Sequence, residues 1–343
     1  MKAMVLKAPN EPFEMMEVPD PVAAPGEAVA RVITCGSGLT IQHIKAGRIS
    51  APFPRIIGHE ITGEIVDVGA GVTGLAAGAA VTAYYYLNCG HCRWCLSNLE
   101  PLCVNTRGNV GRNCDGGYAE YIKLPAHNFI QLPEGLDYRS HPAEIGVVTD
   151  ALATPYKVLS RARIKAGEWV AVFGAGGGVG IHQVMMAKWA RARVIAVDLA
   201  AYKFDACRKA GADEVVDASS GNVVEALFDV TGGQGVDVVV DYVSLTETLE
   251  AGAKALGRHG RLVTLGGAGG SFRVSAGDML QKEQDLLGSR YVTRREILDT
   301  LDLVARGEVW PLVTDIRPLA EAEALHERVE RGEVTGRAAL RIA

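Results

Sequence analysis

The sequence lacks three features that each mark a class of protein: a long apolar run, an excess of basic residues and a dense set of cysteines. No stretch approaches the length that crosses a bilayer, and charge and proline interrupt the first residues, which predicts a cytoplasmic protein with no membrane partner. Lys and Arg number 35 against 40 Asp and Glu, so a net charge of -5 gives nucleic acid no basic surface. Seven cysteines are too sparse for a disulfide scaffold. What remains is a globular chain with room for about two domains.

Two kinds of sequence pattern meet near residue 151. Before it, short alternating apolar stretches such as "EAVARVI" and "ITGEIVDVG" are separated by glycine and proline, which predicts a small β-rich barrel. After it, strand-like stretches such as "WVAVFG" and "RVIAVD" alternate with helical ones such as "VGIHQVMMAKWA". That alternation predicts a doubly wound parallel sheet. It ends near 287, where two predicted helices and a closing apolar stretch follow.

A glycine-rich turn, "GAGGGVG", lies between the first of these strands and the first helix. Such a turn lets the backbone approach a pyrophosphate and points the positive end of the helix at it. The next strand ends at Asp198, whose carboxylate would accept hydrogen bonds from a ribose and repel a 2′-phosphate, so NAD is favoured over NADP. Lys203 either reaches a ribose hydroxyl or is an exposed helix lysine. The predicted cofactor-binding residues are Gly174, Gly176, Gly177, Gly178, Val179, Gly180, Asp198 and Lys203.

Four of the seven cysteines lie close together as a C-x2-C-x2-C-x7-C run: Cys89, Cys92, Cys95 and Cys103. Four thiolates at this spacing can surround one tetrahedral zinc and fill every coordination position. The run therefore predicts one structural zinc per chain, with no place on it for water or substrate.

Taken together, these motifs make the chain similar to the medium-chain dehydrogenase/reductase superfamily, in particular its zinc-containing alcohol dehydrogenases. The resemblance covers essentially the whole chain and includes "GHEITGEIVDVGAGVTG", "GGYAEYIKLP", "KAGADEVVD" and "GEVTGRAALRI". It implies an α/β fold with a GroES-like β-barrel catalytic domain, residues 1–151 and 287–343, and a Rossmann dinucleotide-binding domain, residues 152–286. It also implies hydride transfer between NAD and a small alcohol, aldehyde or ketone, in a homodimer or homotetramer.

The resemblance further implies a catalytic zinc on a cysteine, on the histidine of Gly-His-Glu and on a later Cys or Asp. His59 and Asp150 match the last two positions, and Glu60 follows His59. In "CGSGLTIQHIKAG", however, Gly38 stands where the cysteine belongs. Because glycine has no side chain to ligate a metal, the resemblance implies an altered or lost catalytic zinc site, with His59 and Asp150 as its possible remaining ligands.

The same register places Thr40 and His43 where the family keeps the groups that pass the alcohol proton to solvent. Ile41 stands where the family keeps an aspartate. A shifted register would make Cys35 the zinc ligand, but Thr40 and His43 would then no longer align with the family's proton-relay positions. We therefore favour the first register, with Cys35 as a small buried residue.

Three functions are open at this point. The first is an NAD-dependent alcohol dehydrogenase or carbonyl reductase with an altered catalytic zinc site. The second is a zinc-independent reductase of activated C=C bonds or quinones, because "GAGGGVG" resembles the "GAAGGVG" common among them. The third is a non-enzymatic NAD-binding protein. For the first, the expected catalytic residues are Thr40, His43, His59, Glu60 and Asp150; the histidines expected at the surface are His127, His141, His259 and His326.

Overall fold

The computed structural model describes residues 1–267 and 269–343. It divides them into two compact units: unit 1, Met1–Asp150 with Val292–Ala343, and unit 2, Ala151–Tyr291. Both units combine helices with sheets, which confirms the predicted α/β class. Among the described residues, no helix has both the length and the apolar character needed to span a membrane.

The strands and helices are numbered here in chain order. The strands are β1 (Lys2–Leu6), β2 (Glu14–Glu17), β3 (Glu27–Ser37), β4 (Arg55–Ile56), β5 (Glu60–Val68), β6 (Ala80–Ala83), β7 (Tyr121–Pro125), β8 (Phe129–Gln131), β9 (Trp169–Phe173), β10 (Arg193–Asp198), β11 (Glu214–Asp217), β12 (Val236–Asp241), β13 (Leu256–Thr264), β14 (Asp285–Gly288), β15 (Val313–Pro318) and β16 (Arg337–Arg341).

The α-helices are α1 (Leu39–Lys45), α2 (Arg93–Leu96), α3 (Pro142–Val147), α4 (Ala153–Arg161), α5 (Gly180–Trp189), α6 (Phe204–Lys209), α7 (Val223–Val230), α8 (Thr246–Ala255), α9 (Ala276–Lys282), α10 (Arg294–Ala305) and α11 (Ala322–Glu330). A π-helix covers Val148–Leu152. Short 3-10 turns cover Glu100–Leu102, Ala126–Asn128, Ala201–Lys203, Ala218–Ser220 and Leu319–Glu321.

Unit 1 is built on a seven-stranded sheet with the order β15-β16-β3-β5-β6-β8, in which β7 also pairs with β3. A smaller sheet has the order β2-β1-β4. In the larger sheet β3 lies between β5 and β16 and pairs antiparallel with both: Gly36 is opposite Glu60, and Ser37 is opposite Ala338. The first residues of β5 and β16 therefore flank the end of β3, and this junction positions the candidate site.

Helix α3 is held against β3 and β5 by two threonines. The hydroxyls of Thr34 and Thr62, each 2.8 Å from the carbonyl oxygen of Pro142, both donate to it. Because Pro142 is the first residue of α3, these two bonds fix the start of the helix over the sheet. The π-helix that carries Asp150 follows α3 directly, so the threonines also set where Asp150 lies.

Unit 2 contains a six-stranded parallel sheet with the order β11-β10-β9-β12-β13-β14. Neighbouring residues of β9 are divided between two apolar clusters: Val170 and Val172 belong to one, and Ala171 and Phe173 belong to the other. Since side chains alternate along a strand, both faces of the sheet are covered. This is the predicted doubly wound sheet.

The expectation of a surface position is wrong for His326. Its side chain is fully buried, with Nδ1 2.6 Å from Oε1 of Gln42 and Nε2 2.9 Å from the hydroxyl of Tyr118. Burial lowers the pKa of His326 to about 3, so the imidazole is a neutral member of the core. The other three histidines named with it, His127, His141 and His259, are exposed.

Candidate functional site

The first structural feature of the site is a buried ion pair between β5 and β16. Glu60 is completely buried and Arg337 is 3% exposed. The Nε of Arg337 donates to Oε2 of Glu60 at 3.0 Å, and its Nη2 donates to Oε1 of the same carboxylate. Nη2 also donates to Oδ2 of Asp150 at 3.3 Å. One guanidinium thus serves two carboxylates.

Two glycines of the Cys-Gly-Ser-Gly segment make room for this ion pair. A Cβ at Gly36 would overlap Oε2 of Glu60, and a Cβ at Gly38 would overlap Nη1 and Cζ of Arg337. The side chain of Glu60 therefore crosses β3 over Gly36, while the guanidinium fills the space that a side chain at position 38 would need. Gly38 thus does more than omit a ligand: it admits Arg337.

His59 lies directly before β5 and is 2% exposed. Its Nε2 is 3.4 Å from Oδ2 of Asp150, and its ring lies 4.3 Å from that of Tyr85, centroid to centroid. Among the described residues, no group is bonded to the buried Nδ1 of His59. Ile41, at the position where the family keeps an aspartate, is buried and has no polar atom to offer.

The structure thus brings together the predicted trio of His59, Glu60 and Asp150, whose potential ligand atoms all lie within 4.8 Å of one another. A catalytic zinc takes about three protein ligands and keeps one open position. Both oxygens of Glu60 already accept hydrogen bonds from Arg337, which leaves only His59 and Asp150 of the trio as possible metal ligands. With the guanidinium in this place, the residues present do not fit a three-ligand zinc.

Thr40 and His43 lie one turn apart on α1, and both are partly exposed. No hydrogen bond joins them among the described residues. Instead, Nδ1 of His43 accepts from Nε of Arg48 at 2.7 Å, and Arg48 also donates to both carboxylate oxygens of Glu330, at 2.7 and 2.6 Å. Burial, together with the charge of Arg48, lowers the pKa of His43. The imidazole is therefore held neutral, with its proton on Nε2.

Cys35 is fully buried in the apolar core of unit 1, one residue before Gly36 on β3. Its sulfur packs beside Gly58 and Gly117, where a Cβ would stand 2.8 and 3.0 Å from it. Burial raises the pKa of the Cys35 thiol well above its ordinary value. This geometry favours the register in which Gly38 faces the site.

The cysteine lobe, defined by Cys89, Cys92, Cys95 and Cys103, has the geometry of a closed zinc site. Their sulfur atoms are 3.5 to 3.9 Å apart in the four pairs Cys89–Cys95, Cys92–Cys95, Cys92–Cys103 and Cys89–Cys103. A tetrahedron with Zn–S bonds of about 2.3 Å has S···S edges of about 3.8 Å. Backbone N–H groups of Cys89 and Cys92 point at two of the sulfurs, as expected for thiolates. The lobe therefore fits zinc.

In unit 2, the glycine-rich turn connects β9 to α5, and Val179 is the cap residue directly before the helix. Gly174 has a positive φ of 74°, and a Cβ at Gly180 would overlap its carbonyl oxygen. Gly177 donates its N–H to the same oxygen at 3.1 Å. The predicted glycines thus form one tight turn at the start of α5, as a pyrophosphate site requires.

Asp198, at the end of β10, is tied to this turn. Its Oδ2 accepts from the N–H of Gly176 at 2.8 Å, and its Oδ1 accepts from the N–H of Ala200 at 3.0 Å. Lys203 is 7% exposed and runs along Gly176, whose Cβ, if present, would stand 2.5 Å from the lysine Cδ. The alternative of an exposed helix lysine is therefore wrong, and Lys203 lies beside the predicted cofactor loop.

The residue that the sequence prediction missed is Arg337. A signal was present: "GRAALRI" places Arg337 and Arg341 at the two ends of an apolar strand, and a charge in such a strand is buried when a partner exists. The partner, Glu60, could not be identified without the pairing of β16 with β3 and of β3 with β5.

Comparisons with known proteins agree with these features. Residues 24–134 match the alcohol dehydrogenase GroES-like domain, and residues 178–306 match the zinc-binding dehydrogenase family. An alcohol dehydrogenase of Geobacillus stearothermophilus is 32% identical over 345 residues, covering 100% of this chain and 99% of the relative. An acryloyl-coenzyme A reductase of Metallosphaera sedula is 30% identical, covering 99% of each.

A solved structure of an NAD-dependent alcohol dehydrogenase superposes on the chain with a TM-score of 0.91 at 28% identity, with 100% of each chain covered. The predicted GroES-like and Rossmann folds and the predicted family are thereby confirmed. This chain belongs to the zinc-containing alcohol dehydrogenases of the medium-chain dehydrogenase/reductase superfamily and is an enzyme of that dehydrogenase/reductase type.

Proposed function

We propose that the chain is an NAD-dependent oxidoreductase that interconverts an alcohol with a ketone or aldehyde, with one structural zinc in its cysteine lobe and no thiolate-bound zinc at its reaction centre. The observation that carries this proposal is the pair Gly38 and Arg337. The position of the missing ligand is a glycine, and a guanidinium fills the adjoining space. Hydride transfer is the chemistry of the family, and the glycine at position 38 beside the buried Arg337 supports an altered centre in this chain.

The choice of NAD rests on Asp198 and the glycine-rich turn. A carboxylate at the end of the second strand accepts hydrogen bonds from the ribose and repels a 2′-phosphate. Lys203, buried beside the same turn, would add a hydrogen-bond donor to the ribose. Bound NAD would accept the hydride from the alcohol carbon or, when reduced, return it to the carbonyl carbon.

The alcohol proton is assigned to Thr40 and His43 on α1. Hydride removal requires the hydroxyl proton to leave, and a hydroxyl followed by an imidazole can conduct it to solvent. His43 is neutral, as an acceptor must be, but Arg48 occupies its Nδ1. The imidazole must therefore release Arg48 before it can hold a second proton. In this arrangement Arg48 controls the relay.

A second candidate is the reduction of an activated C=C bond. The 30% identity to an acryloyl-coenzyme A reductase favours it, together with the absence of a thiolate ligand at Gly38. In that reaction hydride adds to the β-carbon of a conjugated carbonyl compound, and a proton then adds to the α-carbon. The structural lobe and the preserved trio of His59, Glu60 and Asp150 favour the first candidate.

A substrate scan separates the two candidates. NADH oxidation is followed with aldehydes, ketones, enones and an acryloyl thioester, and NAD+ reduction is followed with alcohols. The proposal expects turnover with alcohols and simple carbonyl compounds. Turnover confined to conjugated double bonds would establish the second candidate, and inactivity with every class would contradict both.

The role of Asp150 is tested by Asp150→Ala, with Asp302→Ala on the exposed face of α10 as the control. Asp150 contacts both His59 and Arg337, so its loss should abolish turnover while the control retains it. An unchanged rate of turnover in Asp150→Ala would contradict a catalytic role for Asp150.

The number of subunits and the number of zinc ions belong to the same proposal. We expect a homodimer or homotetramer, which light scattering on the purified protein measures. A zinc held by His59 and Asp150 alone stays a prediction from the sequence. The zinc content of the wild-type protein and of His59→Ala tests it.

A further inference from the structure

We infer that Arg337 takes the electrostatic place of the catalytic metal, as a permanent cation that excludes a divalent ion from His59, Glu60 and Asp150. This inference rests on the proposed function and deepens it. It assigns a role to Arg337, which lies in the family-like segment "GEVTGRAALRI" but was not among the predicted site residues.

The first argument is charge. Glu60 is completely buried and the side chain of Asp150 is 14% exposed, so two carboxylates lie together with little water. Such a pair needs a cation, because an uncompensated buried charge is strongly disfavoured. Arg337 meets that need with a bidentate contact to Glu60 and a third bond to Asp150. The planar, always charged guanidinium suits this fork geometry better than a lysine would.

The second argument is space. A side chain at position 38 would overlap Nη1 and Cζ of Arg337, so a cysteine ligand and this guanidinium position cannot coexist. The lack of a side chain at Gly36 lets the Glu60 carboxylate cross β3 and reach Arg337. The same replacement that removes the sulfur therefore admits the substitute cation.

The third argument is the supply of donors. Glu60 has both oxygens bonded to Arg337, and Oδ2 of Asp150 accepts from Arg337 and lies 3.4 Å from Nε2 of His59. A divalent ion bound by Glu60 or by Oδ2 of Asp150 would have to displace the guanidinium from these oxygens, and an ion bound by His59 would approach a fixed positive charge. Guanidinium cannot release its proton in a protein, so the centre has a hydrogen-bond donor of constant charge instead of a Lewis acid.

The first test is zinc per chain in the wild-type protein and in His59→Ala, both purified with zinc in the medium. We expect one zinc in each, held by the cysteine lobe. Two zinc ions in the wild type that fall to one in His59→Ala would overturn the inference. The zinc count does not depend on activity. The inference about Arg337 can therefore fail while the substrate scan supports the proposed function, and the proposed function can fail while the zinc count supports the inference.

The second test removes the guanidinium. Arg337→Leu leaves the trio of His59, Glu60 and Asp150 free to bind a metal, so the variant should hold a second zinc and its Tm should rise when zinc is added. Arg337→Lys keeps the positive charge and is the matched control, with one zinc and no rise in Tm. If folded Arg337→Leu stays at one zinc, the guanidinium is not what excludes the metal. If Arg337→Leu does not fold, the wild-type and His59→Ala counts decide.

Discussion

The Nε of Arg337 lies 3.0 Å from Oε2 of Glu60, although 277 positions separate the two residues in the sequence. Neither strand that carries them pairs with the other; each pairs with β3, which lies between them. The contact therefore crosses a whole strand, and it exists because that strand has a glycine at position 36. This buried ion pair thus depends on the absence of a side chain at Gly36.

Gly36→Ala should disrupt this crossing. Its Cβ would overlap Oε2 of Glu60 and stand 2.8 Å from Cγ1 of Val147, so the buried ion pair must shift. We expect the free energy of unfolding to fall by about 1–3 kcal/mol, the usual cost of overpacking a core. Gly288→Ala is the control, because a Cβ there meets nothing within 4 Å. Urea unfolding measures both, and equal losses would contradict the crossing.

Cys95→Ser should empty the zinc lobe. The sulfur of Cys95 is one of the two buried sulfurs of the cysteine lobe and lies 3.6 Å from Nδ2 of Asn88. Because this position is buried, water replaces the lost ligand poorly. We expect the zinc content to fall from one per chain to near zero and the Tm to fall with it. Cys207→Ser, in the apolar core of unit 2, is the control. Zinc retained at full content in Cys95→Ser would rule out the four-thiolate site.

Asp198→Gly should loosen NAD and admit NADP, because it removes the carboxylate that repels a 2′-phosphate. It also removes the acceptor for the N–H of Gly176, so some loss of kcat/KM with both cofactors is expected. Asp198→Asn separates the two effects: its amide oxygen can still accept that hydrogen bond, but the negative charge is gone. A preference for NAD over NADP that is unchanged in both variants would remove Asp198 from cofactor selection.

Arg48→Gln should shift the pH dependence of turnover. The pKa of His43 lies below its usual 6.5 because of burial and, next, the charge of Arg48. Removing that charge also leaves Glu330 without its partner, and a free carboxylate nearby favours the imidazolium. Both effects raise the pKa of His43, so the acidic limb of kcat should move to higher pH. Arg331→Gln, an exposed arginine paired with Glu333, should leave the limb in place. An unmoved limb in Arg48→Gln would exclude His43 from the relay.

The parallel sheet of unit 2 was predictable because its strands are apolar on both faces. "WVAVFG" and "RVIAVD" became β9 and β10 with their expected bounds to within a residue. The apolar stretch "AAVTAYYYL" continues past Ala83, but β6 ends at that residue. There the side chain of Asn128 donates to the carbonyl oxygens of Tyr84 and Tyr86, at 2.9 and 3.0 Å, and so replaces a strand partner. Local propensity cannot anticipate such a side-chain substitute.

The candidate site was predictable where its residues are close in sequence and unpredictable where they are not. The four cysteines span a short run, so their spacing alone indicated a zinc site. The glycine at position 38 was visible as a missing ligand, but its partner Arg337 was not, because strand pairing brings them together. The burial of His326 was hidden for the same reason, since Gln42 and Tyr118 come from distant segments.

The position of Arg337 in β16 has a consequence for biosynthesis. A ribosome releases residue 60 long before it has made residue 337, so the emerging barrel cannot bury the Glu60 carboxylate beside its counter-charge. Unit 2, in contrast, is one continuous stretch, Ala151–Tyr291, and can condense as soon as it has emerged. We expect unit 2, in the middle of the chain, to fold first. The barrel of unit 1, although its first strands are synthesised earlier, should complete its folding last.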